Sequence, residues 1–392
     1  MSTRPEDLFK RVRSQLDEED EEPEIIQARQ KGIPSPSKLA ICGLAGIVFG
    51  ISIEKGRVFE PHIIREQMLF TNFTMLKMFL SASATGMLVF SVLMMIPATS
   101  RKMDQAIKEF FSCFSSKGVL AAGLGGAMLG CGMTLAGACP GMVLAQVGAS
   151  VPDAILTMVG GLIGVYVYAL TNPIVLKLFT PTRRYRYNSV DEYLGTPFFI
   201  IACPLAAMLG LAVFAFEVVF PWYTQVELSG SGVLGSRAWP PYVAGILIGL
   251  LQLPVVLTVE DTLGSGTSYT TLASQILIIR PLQSVFAYLK KYTSGVGNWW
   301  QVFYVFGAIL GARISASASG TIGSVEGVGP WYSLTGGFLM LYGSRLAGGC
   351  TSGHGLSGMG LLALLSFVAV PTMFAGGISV AFLMKYGIGV KM

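Results

Sequence analysis

"GGFLMLYGSRLAGGCTSGHGLSG", residues 336–358, sets an arginine, a cysteine and a histidine among glycines and then runs into the apolar "LLALLSFVAV". A second stretch, "GGAMLGCGMTLAGAC" at 125–139, aligns without gaps on residues 336–350 and matches at seven of fifteen positions. The matches include Gly132/Gly343, Leu135/Leu346, Ala136/Ala347, Gly137/Gly348 and Cys139/Cys350. Upstream, "AGIVFG" (45–50) echoes "AGILIG" (244–249), and "SASATG" (81–86) echoes "SASASG" (315–320). Glycine-rich sequence produces chance matches, but three echoes in the same order indicate a duplicated unit.

The composition says what kind of unit this is. Of 392 residues, 52% are hydrophobic and only 12% charged, with mean hydropathy +0.62. Soluble domains carry about 25% charged residues, so the expectation is an all-α integral membrane protein embedded in the lipid bilayer. Glycine, at 48 residues, fits, because small residues let membrane helices approach closely. The net charge of +5 comes from basic residues scattered between apolar runs and not clustered, so no nucleic-acid partner is expected. Residues 1–37 are polar and include the acidic "DEEDEEPE" at 17–24. They read as a solvated, disordered tail and not as a cleavable signal peptide.

A helix crossing about 30 Å of hydrocarbon needs roughly 20 apolar residues. Such runs lie near 38–54, 73–98, 117–138, 152–178, 196–220, 241–258, 298–318, 331–348 and 362–385, giving about nine transmembrane helices. Two uncharged tracts are too long for one span and are interrupted by Gly-Cys breaks. Irregular backbone at membrane depth survives only where protein or a cavity surrounds it, so each tract predicts a re-entrant half-helix. Four spans on either side of a single linker span predict two inverted repeats, with the solute handled at their interface. The expected organisation is therefore the tail at 1–37, a first repeat at 38–180, linker helix and loops at 181–240, and a second repeat with the C-terminal tail at 241–392. Loop cations, among them Lys102, Lys117, Arg184 and Lys290, favour a cytoplasmic N-terminus in the plasma membrane.

The breaks carry the candidate chemistry. A thiol has an ordinary pKa near 8.5, so Cys139 and Cys350 are expected as neutral, weak S–H donors able to pass a soft, sulfur-bearing anion. The adjoining Gly137 and Gly349 let the backbone turn and offer N–H groups to a ligand. Arg345, at helix depth, reads as an anion attractor or as a partner of Glu260 or Asp261. His354 is either a proton carrier or a loop-orienting group. Cys131, eight residues before Cys139, either approaches the path or packs in the core. Neither a CxxC pair, HExxH, a P-loop nor paired carboxylates are present, so no metal, cofactor or disulfide framework is expected.

On "LAGACPG" (135–141), "LAGGCTSGHGLSG" (346–358) and the nine-span layout, the chain resembles the YeeE/YedE family of sulfur-compound transporters over nearly everything after residue 38. The resemblance implies an hourglass of inverted repeats and thiosulfate as substrate. It further implies that Cys139 and Cys350 pass the anion along by transient S–H hydrogen bonds. The cysteine that family members often carry just after the first span is absent from "KGRVFEPHIIREQMLF" (55–70). Moving a dianion inward against a negative interior costs about 4.6 kcal/mol per 100 mV. Uptake then needs a steep gradient, a coupled cation or trapping by a partner such as a cytosolic sulfurtransferase. The competing expectation is a membrane sulfurtransferase or thiol oxidoreductase with Cys350 as nucleophile and His354 as base.

Overall fold

The computed structural model describes residues 35–114, 117–181, 185–226, 229–279 and 281–390. Most of the acidic tail, with Arg183, Arg184, Arg280 and Lys391, lies outside them. The apolar runs become α1 (Pro36–Lys55), α3 (Thr74–Met95), α5 (Val119–Ala136), α7 (Ala154–Phe179) and α8 (Phe198–Val219), with a short α2 (Pro61–Met68), an amphipathic α4 (Pro97–Ser112) and a short α6 (Met142–Gly148) between them. There follow α9 (Pro241–Leu250), α10 (Gln252–Val259), a short α11 (Gly266–Ser274), α12 (Val296–Ala318), α13 (Pro330–Ala347) and α14 (Ser366–Phe382). Proline opens α1, α2, α4, α9 and α13, where its missing N–H is one the helix leaves unbonded anyway.

All nine expected spans are helical. Eight segments, with α9 and α10 forming one, are long and apolar enough to cross a membrane among the described residues. The ninth, α13, has the length but not the composition, since it holds Arg345, two serines and three glycines. It lies inside the bundle instead, with Gly336, Met340, Gly343 and Arg345 buried. Leu88, Val92, Leu211 and Phe214 are exposed, the outer apolar surface that lipid requires.

Helix packing is reciprocal. α1 lies along α12 as α9 lies along α3, and α14 packs on α5 as α7 packs on α13. At the centre, α5 and α13 pack on each other. There a Cβ on Gly125 would stand 2.3 Å from Ala347 N, and one on its counterpart Gly336 would stand 2.5 Å from Ala136 N. Ala136 and Ala347 are themselves counterparts, so the two contacts mirror each other. The helix pair closes to backbone contact because neither glycine has a side chain.

α8, the linker helix, docks on α3. There the fully buried Lys77 ammonium lies 2.8 Å from Glu217 Oε2 and donates to Phe220 O at 2.7 Å. Lys77 is thus a tie between the linker and the bundle.

Candidate functional site: paired breaks at Cys139 and Cys350

α5 and α13 stop in the same way. Each is followed by a glycine in the left-handed region, Gly137 at φ 58° and Gly348 at φ 87°, which ends a helix without Cβ strain. Beyond Gly137 the chain runs through Cys139 and Pro140 into α6; beyond Gly348 it runs through Gly349 and Cys350 into a wide helical turn at Gly353–Gly358. Both cysteines are buried and free of disulfides. The N–H groups of Gly141 and Met142 point at Cys139 Sγ, and those of Gly353 and Ser265 at Cys350 Sγ. Ser352 Oγ lies 3.1 Å from Cys350 Sγ. Each sulfur therefore faces the opening of the short element that follows it.

The two breaks meet at the start of α11. A Cβ on Gly141 would stand 3.5 Å from Ser265 Oγ, and one on Gly266 would stand 3.0 Å from Cys350 Cβ and 3.2 Å from its Sγ. Tyr269, one turn further on, donates its hydroxyl to Pro140 O at 3.2 Å. The Cys139 loop and the Cys350 loop thus contact adjacent residues of a single short helix.

A buried arginine braces each break. Arg65, on α2, donates to Thr134 O (3.1 Å) and Leu135 O (2.8 Å), carbonyls that the end of α5 leaves without helical partners. Arg345, on α13, donates to Thr270 Oγ1 (3.2 Å) and Ser344 Oγ (3.3 Å). Among the described residues no carboxylate pairs with Arg345; Asp261, an expected partner, instead accepts from Trp300 Nε1 at 3.2 Å. Arg313 bonds Ser150 Oγ at 2.7 Å at the exposed end of α12, away from the breaks.

The remaining candidates separate. His354 is buried beside the Cys350 loop, with Nδ1 3.1 Å from Ser366 Oγ and its ring tilted against that of Phe114, centroids 5.2 Å apart. Gly349 is small for a reason, since a Cβ there would stand 3.1 Å from His354 Nε2. Gln146 Nε2 holds Gly137 O at 2.9 Å. Cys131 turns away toward α14, with its thiol 3.5 Å from Gly376 O.

Polar groups flank both breaks. On one side a pocket of about 500 Å³ is lined by Arg57, Glu60, Pro61, Arg65, Arg237 and Glu326, and Pro61 packs directly on Gly137. On the other side Gly348 abuts Lys117, whose ammonium donates to Tyr168 OH at 2.5 Å. Lys291 lies 5.3 Å over the rings of both Tyr288 and Tyr292 there. Ser265, Tyr269 and this tyrosine cluster escaped the sequence reading. Ser265 belongs to neither repeated motif, and only the fold brings the tyrosines together.

Residues 55–379 match the family described as sulphur transport. The chain belongs to this family. It is 25% identical over 281 residues to the "Thiosulfate transporter TsuA" of Escherichia coli (strain K12), covering 64% of this chain and 71% of that one. It is 23% identical over 361 residues to the protein of the same name from Spirochaeta thermophila, covering 87% and 97%. Membership of the sulphur transport family sets the chain among transport proteins and not among enzymes.

Proposed function

We propose that the protein takes up thiosulfate, or a closely related small sulfur anion, along a path between the two Gly-Cys breaks. The observation that carries this reading is their convergence. Two buried, unbridged thiols from separate halves of the chain adjoin neighbouring residues of one short helix. Neutral thiols make exchangeable contacts with a soft sulfur, which suits passage better than tight binding. The arginine-bearing pocket at Pro61 is a mouth that collects anions, and the Lys117–tyrosine cluster is the exit. The reciprocal packing of α1/α12 with α9/α3, and of α5 with α13, supports two inverted repeats with the path at their interface. Loop cations support a cytoplasmic N-terminus in the plasma membrane, and a cytosolic sulfurtransferase consuming the anion would maintain inward flux. His354, bonded to Ser366, orients the Cys350 loop.

The test is uptake of radiolabelled thiosulfate into proteoliposomes by wild type, Cys139→Ser and Cys350→Ser, with labelled sulfate as the control anion. The reading expects thiosulfate uptake by wild type, no sulfate uptake, and loss of at least about ten-fold in each folded mutant, a free-energy change of about 1.4 kcal/mol. Full uptake by both mutants would sink the thiol path; no uptake by wild type would sink thiosulfate as the cargo.

A further inference from the structure

Three unsatisfied or cationic features meet where the breaks converge. Ser265 is 2% exposed, yet among the described residues its hydroxyl has no hydrogen-bond partner, and it does not cap the helix it precedes. Arg345 is 7% exposed, and its Nε likewise lacks a partner. α11 opens at the same place, with first-turn N–H groups that no helical carbonyl can satisfy. The geometry draws them together: a Cβ on Gly266 would stand 2.7 Å from Arg345 Nη2 and 3.2 Å from Cys350 Sγ, while Ser265 Oγ faces Gly141 beside Cys139.

A buried cation without a carboxylate is costly unless an anion visits it, and an unpaired buried hydroxyl bears its desolvation cost uncompensated. A helix N-terminus favours negative charge and directs N–H groups at it. The three donors are hard, whereas the neighbouring thiols are soft. A solute with a hard oxyanion end and a soft sulfur end matches both sets.

We propose that Ser265 Oγ, the opening N–H groups of α11 and the Arg345 guanidinium form an oxyanion station between the two thiols. This rests on the transport reading above and deepens it. The station holds the sulfonate-like end of the anion, while Cys139 and Cys350 face its terminal sulfur. A guanidinium with about half a charge from the helix end under-neutralises a dianion, which permits release as well as capture. Gly266, with no side chain, lets the Arg345 guanidinium and Cys350 come close to the start of α11.

The station is tested on the full-length protein in proteoliposomes, with wild type, Ser265→Ala, Arg345→Lys and Gly266→Ala, each first checked for monodispersity. Ser265→Ala should raise the KM for thiosulfate about ten-fold, the weight of one hydrogen bond to a charged group, with the maximal rate kept within about three-fold. Sulfate, which has the oxyanion but not the soft sulfur, should inhibit wild type competitively without being carried. That inhibition should weaken in Ser265→Ala and Gly266→Ala and persist in Cys350→Ser. An unchanged KM and unchanged sulfate inhibition in both Ser265→Ala and Arg345→Lys would overturn the station while leaving thiosulfate transport standing. If wild type carries no thiosulfate, the transport reading fails separately, and thermal stabilisation of the purified protein by sulfate decides the station. Stabilisation lost in Ser265→Ala supports it, and none in wild type overturns it.

Discussion

At the residue scale, the site depends on where side chains are absent. Gly137 sits at φ 58°, and a Cβ there would stand 2.5 Å from Pro61 Cβ, so strain and collision act together. Gly137→Ala should lower stability by about 1–3 kcal/mol and reduce uptake along with it, measured by thermal unfolding in detergent and by flux. The two arginines that brace the breaks differ. Arg65 spends its donors on backbone carbonyls at the end of α5, whereas Arg345 keeps Nε unbonded beside Cys350. Arg65→Gln should therefore show chiefly as lost stability. Arg345→Lys should show chiefly as raised KM, because an ammonium keeps the charge but not the planar fork. Equal stability losses with unchanged KM in both would contradict that division.

At the element scale, the linker helix α8 is tied to the bundle by Lys77 and Glu217. Removing one member leaves the other charged and poorly solvated, so Lys77→Met or Glu217→Leu alone should cost about 3 kcal/mol. The double substitution should cost less than the sum, and a double-mutant cycle on thermal unfolding reads the coupling. Additive losses would mean that the pair does not hold α8. The breaks belong to this scale too. "LAGAC" and "LAGGC" each marked a helix end followed by a thiol-bearing break at membrane depth, and both helices end at a left-handed glycine. The sequence did not disclose α11 as their meeting point. "SGTSYTTLAS" lies outside the matched motifs, and its role arises from contacts of Ser265 and Gly266 with the Cys139 and Cys350 loops, 84 or more residues distant in the chain.

At the scale of the whole molecule, apolar run length made all nine helices readable, and the repeated glycines pointed to the α5–α13 centre. Run length alone does not tell a buried span from a lipid-facing one: α13, with Arg345 and its glycines, is largely buried. The partners of Arg345 were not readable either, because Asp261 is plausible in charge but accepts from Trp300 Nε1, while Arg345 donates to Thr270 and Ser344. The centre also sets tolerance to substitution. Gly125→Val and Gly336→Val occupy counterpart contacts with Ala347 N and Ala136 N, so both should destabilise by similar amounts, about 1–3 kcal/mol or more. Strongly unequal losses, read by thermal unfolding, would argue against reciprocal packing.

The central claim is that both thiols line one substrate path. It is tested most directly by the alkylation rate of Cys139 and Cys350, each as the sole cysteine, by a small water-soluble reagent in proteoliposomes with and without thiosulfate. The account predicts that both react and that thiosulfate slows both, while sulfate slows them less. Thiols that never react, or that react at the same rate with thiosulfate present, would contradict it.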